Sequence, residues 1–335
     1  MNTKIIKRME AFRVRNATPG QQRRLLLPIS GGISSGTLLH VLNGYLEAQL
    51  TRTGRPGFEL HVVHVVEDSE TASSSSIFES TKQRYPRLQY HILQLSDSQD
   101  SPEANGTAQK DESSNPGRLI VSELLPTLTS PTSRVDVSTI ARSTAIVKAA
   151  QRLDCEGVLW GDTTTRLAEK ILSETAKGRG YSLPWLVNDG ESPHGVTFLF
   201  PMRELFKKEL LPFAASVGLP YRDDEIVAPT STKDSSIDML MKQYFQSVEV
   251  NYPSIVANVV RTSSKLIPLA EDASSSPCRL CGMLVAEGTL GILGWGGYAR
   301  REELHQATSV AVGGEHGLDL CYGCARSTLG SAVER

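Results

Sequence analysis

Residues 58–66 (FELHVVHVV) are apolar at nearly every position instead of every second one. A strand with one wet face alternates. An unbroken apolar run marks a strand covered on both faces, the habit of a parallel sheet with helices above and below. Similar short runs occur at Leu25-Leu26-Leu27-Pro28-Ile29, Tyr90-His91-Ile92-Leu93-Gln94-Leu95, Gly157-Val158-Leu159-Trp160 and Thr197 to Phe200. Segments of helical period lie between them. Leu38, Leu39, Leu42, Tyr45 and Leu46 share one face of a helix from Thr37 to Leu50. Further helices are expected from about Ser138 to Leu153, over 166–177, and from Glu204 to Val217. Strands alternating with helices predict a doubly wound α/β domain over 25–227 with a mainly parallel sheet, whose ligands sit at the carboxyl ends of the strands.

The flanks differ from that core. Residues 1–24 carry seven basic side chains against Glu10 alone, with Ile5, Ile6, Met9 and Phe12 at helical spacing. This is a basic amphipathic helix. It is read as lying on the domain, with a nucleic-acid contact through Lys4, Lys7 and Arg8 or a transit peptide as alternatives. Few serines and Glu10 weaken the transit reading. Residues 96–117 hold five acids, Lys110 and no large apolar side chain. Such a stretch cannot offset its ordering entropy, and a disordered acidic insertion is expected. A helical segment occupies 228–270 (Ile237 to Val248, Ser254 to Leu266), and a cysteine-rich module 271–335. The net charge of −2, from 35 basic and 37 acidic residues, is therefore an average of unlike parts. It excludes a generally basic nucleic-acid coat but not a local basic patch. No run approaches the ~18 apolar residues of a membrane span, so no membrane partner is expected. No apolar stretch follows the start, so a secretory signal is not expected either, and the chain is read as cytoplasmic.

Five cysteines are too few for a disulfide scaffold in a chain of this length. Cys278-Arg279-Leu280-Cys281 and Cys321-Tyr322-Gly323-Cys324 form two C-x-x-C pairs. Each pair can grip one side of a tetrahedral ion, and four thiolates complete a structural zinc site with no open position for catalysis. An iron–sulfur cluster is the rival reading and a redox disulfide pair the weaker one. The spacer between the pairs, with Leu290 to Tyr298, can fold as a small hairpin, and His305 and His316 within it are read as surface residues. Cys155 reads as a small buried residue.

Ser30-Gly31-Gly32-Ile33-Ser34-Ser35-Gly36-Thr37 lies between a buried strand and an amphipathic helix. Adjacent glycines let backbone N–H groups face a bound anion, and the helix N-terminus adds its positive dipole end. The other reading is a tight turn with a serine cap. No lysine follows the glycines, so the loop is not a Walker A motif. It resembles the S-G-G-x-D-S loop of the PP-loop ATP pyrophosphatases, with Ser30, Gly31, Gly32 and Ser35 kept and Ser34 in the aspartate position. The loss of that carboxylate weakens the case for ATP and magnesium binding. Active PP-loop tRNA thiolases also carry a G-H-N-x-D-D-x-x-E-T segment after the fourth strand. Here Gly161 and Glu169 persist, while Asp162, Thr163, Thr164 and Thr165 stand where histidine and paired aspartates are expected. Those thiolases use a C-x-x-C before the preceding helix. Residues Val137 to Arg142 have no sulfur, and serine cannot carry it.

Together NTKIIKRMEAFRVRN, LLLPISGGISSGTLLHVL, TTRLAEKILSETAKGRGYSLPW and CRLCG…CYGC resemble the cytoplasmic tRNA 2-thiolation protein 2 family over the whole chain except the acidic insertion. Members usually begin with a further cysteine-rich segment ahead of the basic helix, and this sequence starts at Met1 without it. The resemblance implies a non-catalytic subunit in a heterodimer with a catalytic paralogue, cytoplasmic tRNA 2-thiolation protein 1. The pair would place sulfur from a thiocarboxylated ubiquitin-like carrier on the wobble uridine of lysine, glutamate and glutamine tRNAs, giving 5-methoxycarbonylmethyl-2-thiouridine. Candidate tRNA contacts are Lys4, Lys7 and Arg8, with Lys177 and Arg179, whose flanking glycines would let both cations follow a phosphate backbone. Lys170, Lys207 and Lys208 could extend that face, or simply be solvated helix surface. Tyr181 and Trp185 could stack on bases or serve as packing anchors. Two other readings stand beside this one. The chain could be an ATP-dependent tRNA sulfurtransferase in its own right, holding metal with Asp162 or Glu169. It could also be a nucleotide-binding adaptor that does not touch RNA.

Overall fold

The computed structural model describes residues 1–14, 23–66, 72–95, 124–222, 235–268, 276–285 and 320–329. Six strands form one sheet: β1 (Arg24–Pro28), β2 (Glu59–Val66), β3 (Gln89–Gln94), β4 (Gly157–Leu159), β5 (Gly190–Glu191) and β6 (Thr197–Leu199). Their order is β3-β2-β1-β4-β6-β5. All neighbours pair in parallel except β5, which runs antiparallel on β6 at the edge. Leu25 pairs with Leu60 on one side and Gly157 on the other, which makes β1 a central strand. A second, two-stranded sheet joins β7 (Ser276–Pro277) to β8 (Leu284–Val285).

The unbroken apolar strands follow from two cores, one on each face. Leu25 and Leu27 of β1, with Leu60 and Val62 of β2, face helices α1 (Asn2–Arg8), α2 (Ile33–Thr53) and α7 (Lys207–Val217). Leu26, Val63, Val65 and Val158 face the opposite way. There they meet α4 (Pro131–Arg152), α5 (Thr164–Ala176), α6 (Leu183–Val187), α8 (Ile237–Asn251) and α9 (Pro253–Ser263). Each fully buried leucine contributes roughly 1.5–3 kcal/mol relative to exposure, so both faces are strongly specified. The basic N-terminal helix is part of this core: Ile5, Met9 and Phe12 are buried against it. Trp185 is likewise buried, the packing-anchor alternative.

Several boundaries differ from the sequence reading. Helix α4 begins at Pro131, where proline suits the first helical position, so Ser133, Asp136 and Val137 are helical and buried. Helix α3 (Ala72–Arg84) carries a serine-rich sequence without an apolar stripe and was not expected. Edge strand β5 has two residues and no patterning to reveal it. The acidic insertion 96–117, the Leu290–Tyr298 hairpin, His305 and His316 lie outside the described residues. Among the described residues no helix is long and apolar enough to cross a membrane.

Candidate functional site

Strand β1 has β2 on one side and β4 on the other, so the connections leaving β1 and β4 diverge across the sheet. A crevice at the carboxyl ends of those two strands is where such folds take ligands. Ser30–Ser35 follows β1 there, and Gly161–Thr165 follows β4. The two segments touch. A side chain at Gly161 would place its Cβ 3.2 Å from Ser35 Cα and 3.3 Å from Ser35 N, a close approach that favours glycine. Ser35 is buried, and its Oγ donates to the Gly32 carbonyl at 3.1 Å while accepting from Ser30 N at 3.4 Å. Arg222 N donates to the Gly31 carbonyl at 2.8 Å, which ties the chain after α7 across the loop. Ser30 is exposed; Gly31, Gly32 and Ser34 are half-buried. Ser34 sits in the first turn of α2, and the loop presents backbone but no carboxylate to a hard cation.

The segment after β4 is committed to structure. Thr163 Oγ1 caps α5 by accepting from Arg166 N. Thr164 Oγ1 donates to the Arg203 carbonyl at 2.7 Å. Thr165 Oγ1 donates to the Glu249 carboxylate of α8 and accepts from Lys207 N at 3.2 Å. Glu169 is buried and paired with Arg166 at 2.9 Å, and Asp162 faces Lys170 at 3.9 Å. Each acid considered as a metal holder therefore has a cation against it. Cys155 precedes β4, at the opposite end of the sheet from the loop, and burial pushes its thiol up to about 11. A thiol there is neither ionised at neutral pH nor near the crevice.

Cys278 and Cys281 lie on the turn between β7 and β8, and Cys321 and Cys324 at the start of α10 (Tyr322–Leu329). Their four sulfurs all lie within 4.8 Å of one another, the Cys281–Cys321 pair at 3.9 Å. Four sulfurs about 2.3 Å from one tetrahedral ion stand about 3.8 Å apart, so the set fits a single metal ion. Cys321 N donates to Cys278 Sγ at 3.2 Å and Cys324 N to Cys321 Sγ at 3.4 Å, the outer contacts that orient ligating thiolates. Hydrogen bonds from Cys281, then Cys321 and Cys324, hold the Cys278 thiol well below its ordinary value. The centre is no free-standing tail: with Leu280 and Leu320 it packs on Leu124, Leu128 and Val137 of the α/β body.

The structure corrects the expected role of Lys177 and Arg179. They are only 7% and 2% exposed and cannot lie along a phosphate backbone. Lys177 Nζ meets Asp136 at 2.8 Å, Glu174 at 2.8 Å and Asp238 at 3.2 Å. Arg179 grips Asp136 with both terminal nitrogens and Glu174 with Nε. Ser327 of α10 donates to the same Asp136 at 2.5 Å. Burial raises the cost of the Asp136 charge, but Arg179 and Lys177 outweigh it and hold the carboxyl at about 2. Asp136 and Ser327 carried no sequence signal; Glu174, three residues before Lys177 on one helix, was the readable hint. On α1, Lys4 and Lys7 are exposed; Lys4 Nζ lies 4.0 Å from Glu209 and donates to the Glu204 carbonyl at 3.4 Å, and Arg8 is bound more tightly to Asp189 at 2.6 Å and Glu204 at 3.0 Å.

A family model described as "Cytoplasmic tRNA 2-thiolation protein 2" matches residues 236–291. The chain is 43% identical to the cytoplasmic tRNA 2-thiolation protein 2 of Pyrenophora tritici-repentis over 98% of its own length and 87% of that protein. It is 44% identical to the protein of that name from Phaeosphaeria nodorum, with the same coverage. Among solved structures it is similar to the U34-tRNA thiolase NcsA of Methanococcus maripaludis, determined with its [4Fe-4S] cluster. The TM-score is 0.57 and the identity 17%, over 86% of this chain and 89% of that one. That likeness establishes a shared PP-loop type of fold.

Proposed function

The chain belongs to the cytoplasmic tRNA 2-thiolation protein 2 family, and from that membership we propose that it is a non-catalytic subunit of a tRNA-thiolating complex in the cytoplasm. Its partner is a catalytic PP-loop paralogue, cytoplasmic tRNA 2-thiolation protein 1. The substrate is the wobble uridine of lysine, glutamate and glutamine tRNAs, and the sulfur comes from a thiocarboxylated ubiquitin-like carrier. The observation that carries the reading is the crevice between β1 and β4. It keeps the glycine turn, but Ser35 and the three threonines are tied into the fold, Asp162 and Glu169 are paired, and none of the five cysteines stands there. A sulfur-transfer site needs a thiolate and a metal-holding carboxylate within reach of the triphosphate. Among the described residues the crevice has no thiolate, and its two carboxylates, Asp162 and Glu169, are each paired with a cation.

The four-cysteine centre supports a structural zinc, which when bound would cross-link the β7–β8 turn to α10. A four-iron cluster ligates each thiolate to a different iron, and sulfurs gathered within 4.8 Å suit one ion better. RNA contact falls to the exposed Lys4 and Lys7 of α1. The test is to incubate the purified chain with ATP, magnesium, sulfur donor and tRNA, with and without the paralogue. Thiouridine is expected only when the paralogue is present, and thiouridine formed by this chain alone overturns the subunit reading.

A further inference from the structure

The Lys177–Ser182 stretch leads away from RNA and towards the four cysteines. Its two cations are locked by Asp136, Glu174 and Asp238, and Ser182 Oγ donates to the Arg179 carbonyl at 2.8 Å, so the backbone here is held from both sides. The clamp also touches the cysteine helix. A Cβ on Gly323, inside the second C-x-x-C, would lie 2.4 Å from Arg179 Cγ and 2.9 Å from the Lys177 carbonyl, so only glycine permits that seating. Held between them is Tyr181. Its ring packs against the cluster formed by Cys278, Cys321, Cys324 and their apolar neighbours, and its hydroxyl is buried with no hydrogen-bond partner among the described residues. A buried hydroxyl left unpaired costs roughly 1–3 kcal/mol, which is unexpected in a segment so thoroughly fixed. A tyrosine hydroxyl is a hydrogen-bond donor at neutral pH. Four thiolates around a divalent ion leave a net negative charge in an apolar pocket, which calls for donors.

We infer that Tyr181 is a positioning residue of the metal centre, its otherwise unpaired hydroxyl donating to a cysteine sulfur once that sulfur holds the ion, with the Lys177–Arg179 clamp as the frame that presents it. This rests on the single-ion reading of the centre. Through that frame the metal and the α/β body are mechanically one unit, which accounts for the buried cations that resemble an RNA motif in the sequence.

The test uses the full chain loaded with cobalt(II), then with zinc. Wild type should show the thiolate-to-cobalt charge-transfer band of a four-sulfur site. In Tyr181→Phe the ring still packs, but the sulfur loses a donor, so the band should move to longer wavelength. Zinc affinity, read by competition with a chromophoric chelator, should fall roughly 10- to 100-fold. Tyr252→Phe, on an exposed side chain, should change neither. A charge-transfer band that Tyr181→Phe leaves in place overturns the assignment of Tyr181. Absence of the band from wild type overturns instead the single-ion reading beneath it.

Discussion

Replacing Asp136 with asparagine separates a buried structural clamp from an RNA-binding face. Asp136 is 1% exposed and takes hydrogen bonds from Lys177, Arg179 and Ser327, two of them carrying full charge. Asp136→Asn keeps the shape but leaves two buried cations sharing Glu174 and the partly exposed Asp238. Breaking a buried pair this way costs about 3–5 kcal/mol, a fall in Tm of roughly 10 °C for a domain of this size. The pH dependence supplies a second signature. The folded Asp136 carboxyl, at about 2, lies below its ordinary 3.8. Its contribution, about 2 kcal/mol, is therefore complete above the ordinary value and is lost as pH falls towards 2. Urea unfolding of wild type between pH 5 and pH 2 should contain this loss, and Asp136→Asn should lack it. The control is Asp154→Asn, at a side chain 94% exposed, which should shift stability by less than about 0.5 kcal/mol. An Asp136→Asn protein as stable as wild type, with the same acid limb, would refute the clamp.

Three further outcomes follow from the same geometry. Gly323→Ala should weaken zinc binding and lower Tm, because its methyl group meets Arg179 and the Lys177 carbonyl; chelator competition and a thermal melt check this. Cys155→Ser should leave thiolation by the assembled complex unchanged, and Cys155 in the folded chain should resist maleimide at pH 7.5, since its thiol ionises near 11. Replacing Lys4 and Lys7 together with alanine should weaken tRNA binding and reduce the slope of log affinity against log salt by about one per lost phosphate contact.

The α/β architecture was legible because β1 and β2 are buried on both faces, and only a helix-covered sheet asks for Leu25, Leu26 and Leu27 in succession. The four-cysteine set was legible because ligand spacing is local to each pair. What escaped were features whose partners are distant in the chain. Lys177 and Arg179 look like surface cations until Asp136, 41 and 43 positions away, is folded against them. Ser327, 191 positions from Asp136, closes the same cluster and is an ordinary serine in the sequence. Helix α3 lacks a periodic apolar face, and β5 is too short to have a period.

The glycine loop keeps its turn, while the carboxylates described beside it, Asp162 and Glu169, are each held by a cation. Magnesium-dependent ATP–pyrophosphate exchange by the isolated chain, with tRNA present, measures adenylation directly. No exchange above the protein-free blank is expected. Saturable exchange by this chain alone, lost when Asp162 or Glu169 is replaced by its amide, would contradict it.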